Sequence, residues 1–359
     1  MNAAVFRKAK GFTLVELMVG LAIGMLVVLV IFEVVANFEG QKRTTTEGSG
    51  AQENGLYVVT TLERDIRMAG WGTNITPLLG CTGKIDTVYN GSPVADFSLM
   101  PVQITDGGTL PDRIAVSSGS GMLASTSNQV TSVGAPGNGA LGVQSAVGFK
   151  KDDMVVVANG DGTCTLGQIT NVNSSGNTIE RKPGGSGSDF NPTAGVRAGW
   201  APEDVGSKVH DLGKMVRRIY RVETSDDTLR SQDLGNPSDV SLADNIVSIK
   251  AQYGVSMPGT ASQSVENWVN ATGSIWKAPV PKDIARIKAL RVLIVARSPV
   301  REKPDASGNC TATPTAPKAS WTDGDPIVVD LSADSEWQCF RYKSFQTVIP
   351  LRNVIWSAT

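Results

Sequence analysis

The chain has 359 residues and a formal net charge of −1, with only 19% charged residues. This balance excludes a protein that binds nucleic acid through an overall basic surface. The 38 glycines and the low charge content favour a loop-rich β protein over a helical bundle. The length is sufficient for two lobes with separate hydrophobic cores.

The N-terminal segment is the most informative part of the sequence. Three basic residues precede Gly11, and residues 12–32 are apolar apart from Thr13 and Glu16. About twenty apolar residues span a bilayer as a helix, and basic residues before such a helix stay on the cytoplasmic side. An ordinary secretory signal peptide is cleaved after its apolar region, at a small residue. Here the plausible cleavage site, at Gly11, lies before the apolar region.

Glu16 is the exceptional residue of this apolar segment. A carboxylate at the centre of a membrane helix costs about 2.5–3.5 kcal/mol, which calls for a compensating partner. Cleavage after Gly11 would give Phe12 a free amine, one helical turn before Glu16. Glu16 would then neutralise this amine or that of a neighbouring subunit. The alternative is a tolerated carboxylate at the membrane edge.

The residues around this junction support a family resemblance. Residues 10–18, KGFTLVELM, resemble the class III leader and mature start of type IV pilins and type II secretion pseudopilins. The resemblance implies that a prepilin peptidase cleaves after Gly11 and methylates Phe12, and that Glu16 aids assembly. Gly20 and Gly24 form a GxxxG pattern that either permits close helix packing or reflects the frequency of glycine in membrane helices.

A second helical pattern follows the apolar segment. Residues 40–50 contain glycines and threonines that weaken a helix, but an amphipathic pattern resumes at residue 52 and ends at Gly70, a C-terminal cap. The spacing predicts a buried face made of Leu56, Val59, Leu62 and Ile66. This second half of the helix is expected to pack on a sheet.

The remainder of the chain predicts short strands between turn-forming clusters. Predicted strands cover residues 113–117, 154–158, 166–172, 215–222, 246–253, 287–296, 326–331 and 342–351, and residues 73–80, 119–140 and 174–200 are predicted loops. The fold class is α+β, a long N-terminal pilin helix packed on an antiparallel β-sheet, with a β-rich insertion lobe. We predict five segments: leader 1–11, hydrophobic helix 12–36, amphipathic helix 37–70, insertion lobe 71–205 and C-terminal lobe 206–359.

The four cysteines, Cys81, Cys164, Cys310 and Cys339, are widely spaced and form no metal-binding cluster. An even number with this spacing favours two disulfides in an oxidising compartment, although four buried free thiols is the alternative. Three pairings are possible. Cys81–Cys164 and Cys310–Cys339 are favoured because each pair lies within one predicted lobe.

Candidate chemical sites are few. The single histidine, His210, has no nucleophile elbow nearby, so we predict no catalytic residues, no metal and no cofactor. Residues 159–163 and 322–325 resemble calcium loops but lack the full set of acidic ligands, which favours β-turns. Five basic residues surround Tyr220, and strand alternation favours a solvated strand face over a nucleic-acid site; they are Lys214, Arg217, Arg218, Arg221 and Arg230.

Further segments resemble the PilW family of minor pilins, namely residues 69–72, 152–170, 219–230, 245–255, 291–298 and 347–353. The resemblance implies a minor pilin that helps to initiate type IV pilus assembly in a tip or priming complex. The implied partners are other minor pilins, the major pilin, the prepilin peptidase, the inner-membrane assembly platform and, as a further candidate, a tip adhesin. The protein would lie in the inner membrane, with a periplasmic body, and later in the pilus at the cell surface.

Two other functions fit the same residues. One is a J-type minor pseudopilin of a type II secretion system, which shares the leader and a large β-rich body. The other is an adhesion module that uses a pilin helix only as its anchor. Whether the filament serves twitching, adhesion or DNA uptake stays open.

Overall fold

A computed structural model describes residues 11, 13–73, 81, 85–94, 97–120, 128–134, 139–182, 188–193, 203–234, 238–259, 262–305 and 307–357. Side chains are described outside residues 36–37, 39–48 and 355–357. The chain divides into two units, Met1–Gly50 and Ala51–Thr359.

The first unit contains most of helix α1, which runs continuously from Leu14 to Met68. The predicted weak region at residues 40–50 is therefore helical. One stretch, Leu14–Val35, is 22 residues long and apolar enough to cross a membrane. Every side chain in this stretch is exposed in the isolated chain. Because so much apolar surface is unfavourable in water, this helix requires lipid or other helices around it.

In the second unit, α1 buries one face. The buried positions follow helical spacing and are Ala51, Gly55, Val58, Leu62 and Ile66. The predicted face was wrong at Leu56, which is 48% exposed. The reason is that the buried face continues through Ala51 and Gly55, which contribute little to a hydrophobicity pattern. The helix ends as expected, with Gly70 at φ +81°.

Nineteen strands are described after α1, and they are mostly paired antiparallel. The largest sheet has the order β1-β9-β8-β12-β6-β7-β11-β10. Its strands are β1 (Ile85–Asp86), β6 (Asn128–Val133), β7 (Ala140–Val143), β8 (Met154–Ala158), β9 (Cys164–Gln168), β10 (Asn171–Asn173), β11 (Thr178–Glu180) and β12 (Lys208–Gly213). Strand β8 is buried on both faces, which explains its uninterrupted apolar sequence.

Two smaller sheets pack with α1. The five-stranded sheet, in the order β15-β14-β13-β5-β4, contains β4 (Val102–Thr105), β5 (Arg113–Ser118), β13 (Val216–Glu223), β14 (Thr228–Asp233) and β15 (Val240–Ala243). The four-stranded sheet, in the order β17-β16-β18-β19, contains β16 (Ile246–Val255), β17 (Asn267–Val269), β18 (Ile287–Arg297) and β19 (Tyr342–Pro350). One hydrophobic core joins α1 to both sheets.

The remaining elements are short. A two-stranded ribbon is formed by β2 (Val88–Tyr89) and β3 (Ser92–Pro93). Helices α2 (Gly273–Trp276) and α3 (Pro281–Ile284) lie between β17 and β18, a 3₁₀ helix spans Trp337–Cys339, and α4 (Arg352–Ser357) follows β19.

Strand pairing crosses the predicted boundary between residues 205 and 206. Strands β4 and β5, from the predicted insertion lobe, complete the sheet that contains β13. In the other direction, β12 pairs with β6 and β8. A boundary drawn at one point in the sequence cannot describe these exchanged strands, because sheet partners are distant in sequence.

The predicted strand at residues 326–331 was wrong. This segment is unpaired, and it lies over the four-stranded sheet with Val329 and Leu331 packed against Leu293 and Val295. Its alternating pattern therefore arises from packing on a sheet face. The predicted strand 166–172 is interrupted at Ile169 and Thr170, and the predicted loops 119–140 and 174–200 contain β6 and β11 in their described parts.

Candidate functional site

The start of α1 forms a reciprocal capping arrangement. The Thr13 hydroxyl oxygen accepts a hydrogen bond from the Glu16 N–H at 3.3 Å. In return, Glu16 Oε2 accepts from the Thr13 N–H at 3.2 Å and from the Thr13 hydroxyl at 3.1 Å. This is the Thr-x-x-Glu capping box, which satisfies backbone donors that the first helical turn leaves unpaired.

The capping arrangement gives Glu16 a local role that the apolar pattern did not predict. The sequence predicts that its carboxylate neutralises the amine that cleavage would give Phe12. In the uncleaved chain, the carboxylate instead accepts hydrogen bonds from Thr13. Gly11 is exposed immediately before this turn. Phe12 lies outside the described residues, so its cleavage, its methylation and its pairing with Glu16 stay predictions. A Cβ atom added at Gly20 or Gly24 would have no neighbour within 4 Å, so nothing in the isolated chain packs on either glycine.

The C-terminal part of α1 is joined to the neighbouring strands and helix by polar contacts at the edge of the core. Arg218 Nη1 donates to Asp65 Oδ2 at 2.8 Å, and the Tyr220 hydroxyl donates to the same oxygen at 2.5 Å. At the helix end, Asn353 Nδ2 donates to the carbonyl oxygens of Met68 at 3.3 Å and Ala69 at 3.0 Å. These bonds connect α1 to β13 and to α4.

The predicted solvated basic face is wrong. Arg217 is buried, its Nη1 donates to Ser98 O at 2.6 Å, and burial lowers its pKa to about 10. Arg217 and Arg218 do lie on opposite faces, as strand alternation predicts. Acidic side chains pair with the other three arginines of the cluster: Arg218 with Asp65 and Asp233, Arg221 with Glu223 and Asp239, and Arg230 with Asp226. Pairing leaves little free positive charge there for nucleic acid.

The two calcium-like segments form turns. Asp161 Oδ1 accepts from the Thr163 N–H at 2.8 Å, and Gly162 has φ +87°. In the second segment, Asp323 Oδ1 accepts from Arg291 Nη1 at 2.9 Å, and Asp325 Oδ2 accepts from the Asn270 N–H at 2.8 Å. Their carboxylates are thus used within the protein. Among the described residues, no group of three or more acidic, histidine or cysteine side chains could hold a metal ion.

His210 lies on β12 opposite Val156 of β8. Burial lowers its pKa, which keeps the imidazole neutral near pH 7. Its neighbour Asp211 is buried and accepts from the Gly213 N–H at 2.8 Å. Burial and the nearby charge of Asp153 raise the pKa of Asp211 to about 6.

Two disulfides are present, and their pairing is the one favoured from the sequence, with each pair inside one predicted lobe. Cys81 is bonded to Cys164 with a Cα–Cα distance of 5.7 Å, and Cys310 to Cys339 with 4.6 Å. The first bridge lies in the core on one face of the eight-stranded sheet. The second ties together the excursion between β18 and β19, which covers the four-stranded sheet.

Comparison with protein families gives two matches. Residues 6–32 match the prokaryotic N-terminal methylation motif, and residues 211–353 match type IV pilus-assembly protein W, the PilW family. These two matches support a PilW-type minor pilin. The N-terminal match includes the junction at Gly11, the capping box and most of the apolar stretch. No curated protein and no solved structure matches the chain.

The PilW match extends from within β12 to the start of α4, which includes the four-stranded sheet and Asp233, the partner of Arg218 outside α1. The resemblances at residues 219–230, 245–255, 291–298 and 347–353 fall inside it. Those at residues 69–72 and 152–170 fall outside and stay predictions. As a pilin with a class III leader and an apolar N-terminal helix, the protein is anchored in the inner membrane and then associated with the pilus.

Proposed function

We propose that this minor pilin helps to initiate type IV pilus assembly and lies in the tip or priming complex of the pilus. The observation that carries the proposal is the exposed apolar helix Leu14–Val35, whose first turn contains the carboxylate of Glu16. Such a helix is stable in lipid and equally in a bundle of similar helices, so the subunit can exchange one environment for the other.

The charge at the helix start gives this exchange a direction. A new amine on Phe12 would be costly in the core of a helical bundle unless a carboxylate neutralises it. Glu16 of one subunit can supply that charge to the Phe12 amine of its neighbour. Association through the apolar helices therefore favours subunits in which this carboxylate and amine meet.

The size of the body limits where the subunit fits. The second unit, Ala51–Thr359, contains all the sheets and both disulfides. A body this large suits a terminal position, because a filament made by repeating it would be crowded by the additional strands. We therefore place the protein at the end of the filament, with other minor pilins and the major pilin below it.

The experiment is deletion of the gene followed by counting of surface pili and identification of the minor pilins that co-purify with the restored protein. The expected result is a strong loss of pili, restored by the wild-type gene, and co-purification with minor pilins. Normal pili with loss of surface binding alone would instead identify an adhesion module. Normal pili with impaired protein secretion would identify a pseudopilin.

A further inference from the structure

Strand β19 forms an open edge of the four-stranded sheet. All nine of its residues, from Tyr342 to Pro350, have register partners on β18. On its other side, no backbone hydrogen bond is formed by this strand within the part of the chain that the structure describes. A row of unpaired N–H and C=O groups is a template for another strand.

The hydrogen bonds at both ends of the pairing identify the groups that face outward. Ser298 N–H donates to Arg341 O at 2.7 Å, and Leu351 N–H donates to Lys288 O at 2.8 Å. In an antiparallel pair, alternate residues bond to the partner strand. The odd-numbered residues of β19 therefore face β18. The backbone groups of the even-numbered residues face outward, and these residues are Tyr342, Ser344, Gln346 and Val348.

The middle of this edge lacks the charged residues and prolines that usually protect an edge against pairing. Lys343 and Pro350 stand at its two ends, but residues 344–349, SFQTVI, carry no charge, no proline and no glycine. Val348 is 48% exposed beside the open groups. Uncharged, β-branched and aromatic residues in an extended edge favour addition of a strand. Proline at the end of an edge removes only an outward N–H, so it terminates the row without disturbing β18.

The other described edges of the larger sheets are short or closed, which makes β19 an exception. Strand β4 has four residues, and its outward Ile104 N–H donates to the Tyr253 hydroxyl at 2.6 Å. Strands β15 and β17 have four and three residues. Short edges are a common means of avoiding unwanted association. A nine-residue edge whose residues 344–349 carry no charge therefore indicates a surface that a partner covers.

We propose that β19 receives an extended, uncharged strand from another pilin subunit, which pairs with the outward backbone groups of Ser344, Gln346 and Val348. The proposal rests on the proposed function, since it assigns the partner to the tip or priming complex. Backbone pairing supplies affinity in this mode of recognition, and side chains beside the edge supply specificity. Because residues 344–349 carry no charge, a partner segment opposite them does not rely on ion pairs.

The first test uses the full-length protein in piliated cells with a photo-crosslinking phenylalanine analogue at Val348, and at Val147 as the control. Val147 is 83% exposed and lies in the loop after β7. The expected result is an adduct with another pilin at position 348, mapped by mass spectrometry to an extended segment of that pilin, and none at 147. No adduct at 348 in piliated cells, or an adduct only with a second copy of this chain, would overturn the proposal.

The second test removes one outward hydrogen-bond donor. Ser344→Pro removes an N–H that faces away from β18, whereas Ser344→Ala retains it. One hydrogen bond corresponds to roughly two- to tenfold weaker association, so Ser344→Pro is expected to reduce co-purified minor pilins by that factor while Ser344→Ala does not. Wild-type co-purification with Ser344→Pro, at normal protein level, would contradict the proposal. If Ser344→Pro lowers the protein level, the cross-link at Val348 decides alone.

The two proposals fail in different ways. If deletion of the gene leaves pilus number unchanged, the proposed initiation role is wrong. In the other case, deletion abolishes pili while Ser344→Pro co-purifies minor pilins at wild-type level and position 348 forms no adduct with another pilin. Only the assignment of β19 is then wrong.

Discussion

The carboxylate of Asp65 on α1 accepts a hydrogen bond from the Arg218 guanidinium on β13 at 2.8 Å. This contact fixes the helix beside the five-stranded sheet, next to the buried face of α1. Arg218 also binds Asp233 of β14 through two further hydrogen bonds of 2.6 and 3.0 Å. One guanidinium therefore joins α1 to two adjacent strands, and the helix that enters the membrane or the filament is held by charge as well as by apolar packing.

Replacing Asp65 is expected to loosen this connection. Asp65→Ala leaves Arg218 and the Tyr220 hydroxyl without their shared acceptor, which costs about 1.5–3 kcal/mol for hydrogen bonds to a charged group. The measurement is the urea midpoint of the full chain in detergent, followed by fluorescence of its seven tryptophans. Glu53→Ala is the control because it also removes a carboxylate from α1, at an exposed position. Equal midpoints for both variants would contradict the proposed role of Asp65.

Burial raises the pKa of Asp65, but the hydrogen bond from Tyr220 and the cations of Arg64 and Arg218 outweigh it, so the net pKa is below the usual 3.8. A carboxyl with a lowered folded pKa contributes stability above its unfolded pKa and loses it as the pH falls through the folded value. The difference in midpoint between wild type and Asp65→Ala is therefore expected to be full at pH 7 and to decrease below about pH 4.

Gly55 is expected to be the most size-sensitive position of α1. A Cβ atom at residue 55 would overlap the ring of Phe345 on β19. Gly55→Ala gains about 1 kcal/mol of helix propensity, but overpacking a filled core costs about 1–3 kcal/mol. We expect a net loss of stability in the same urea experiment. Thr60→Ala, at an exposed position of the same helix, should show no loss. A stabilised Gly55→Ala variant would mean that Phe345 moves aside freely.

The helix and most strands were predictable from the sequence, because hydrophobic periodicity and turn residues report local structure. The partners of those strands were not. Arg217 looked like part of a solvated strand face, yet its acceptors come from residues 98 and 103, more than a hundred positions earlier. The exchange of β4, β5 and β12 between the predicted lobes was missed for the same reason.

The candidate site shows a similar division. The pattern identified Glu16 because a carboxylate in an apolar helix is conspicuous. Its capping of Thr13 could also have been found, since Thr and Glu three residues apart at a helix start form a recognised signature. The open edge of β19 could not have been found, because sequence does not specify which strand ends a sheet.

The pH dependence of stability is expected to include a contribution from Asp211, which lies on β12. The pKa of Asp211 is raised to about 6, above the ordinary 3.8, by burial and by the charge of Asp153. The folded state therefore binds this proton more tightly than the unfolded state. As a consequence, the free energy of unfolding decreases as the pH rises from about 4 to 6.

Asp211→Asn should remove this penalty while retaining an oxygen that accepts from the Gly213 N–H. We expect a higher melting temperature than wild type at pH 7.5 and little difference at pH 4, measured by differential scanning fluorimetry of the full chain in detergent. Asp204→Asn, which makes the same acid-to-amide change at another position, serves as the control. The assignment would be contradicted if the gain in melting temperature of Asp211→Asn over wild type were larger at pH 4 than at pH 7.5.

The assembly role of Glu16 can be separated from its capping role. Glu16→Gln retains an oxygen that can accept from the Thr13 N–H but has no charge, and Gln serves in capping boxes as Glu does. Glu16→Ala removes both. If Glu16 acts by neutralising the Phe12 amine, both variants should insert in the inner membrane at wild-type level and neither should enter pili.

The most direct measurement is therefore the amount of this protein in sheared pili, relative to its amount in the inner membrane, for wild type, Glu16→Gln and Glu16→Ala. The account predicts that both variants are found in the membrane and are lost from the pilus fraction, with few pili made. Normal pili containing Glu16→Ala would contradict the account, because an apolar helix without this carboxylate would then be sufficient for assembly.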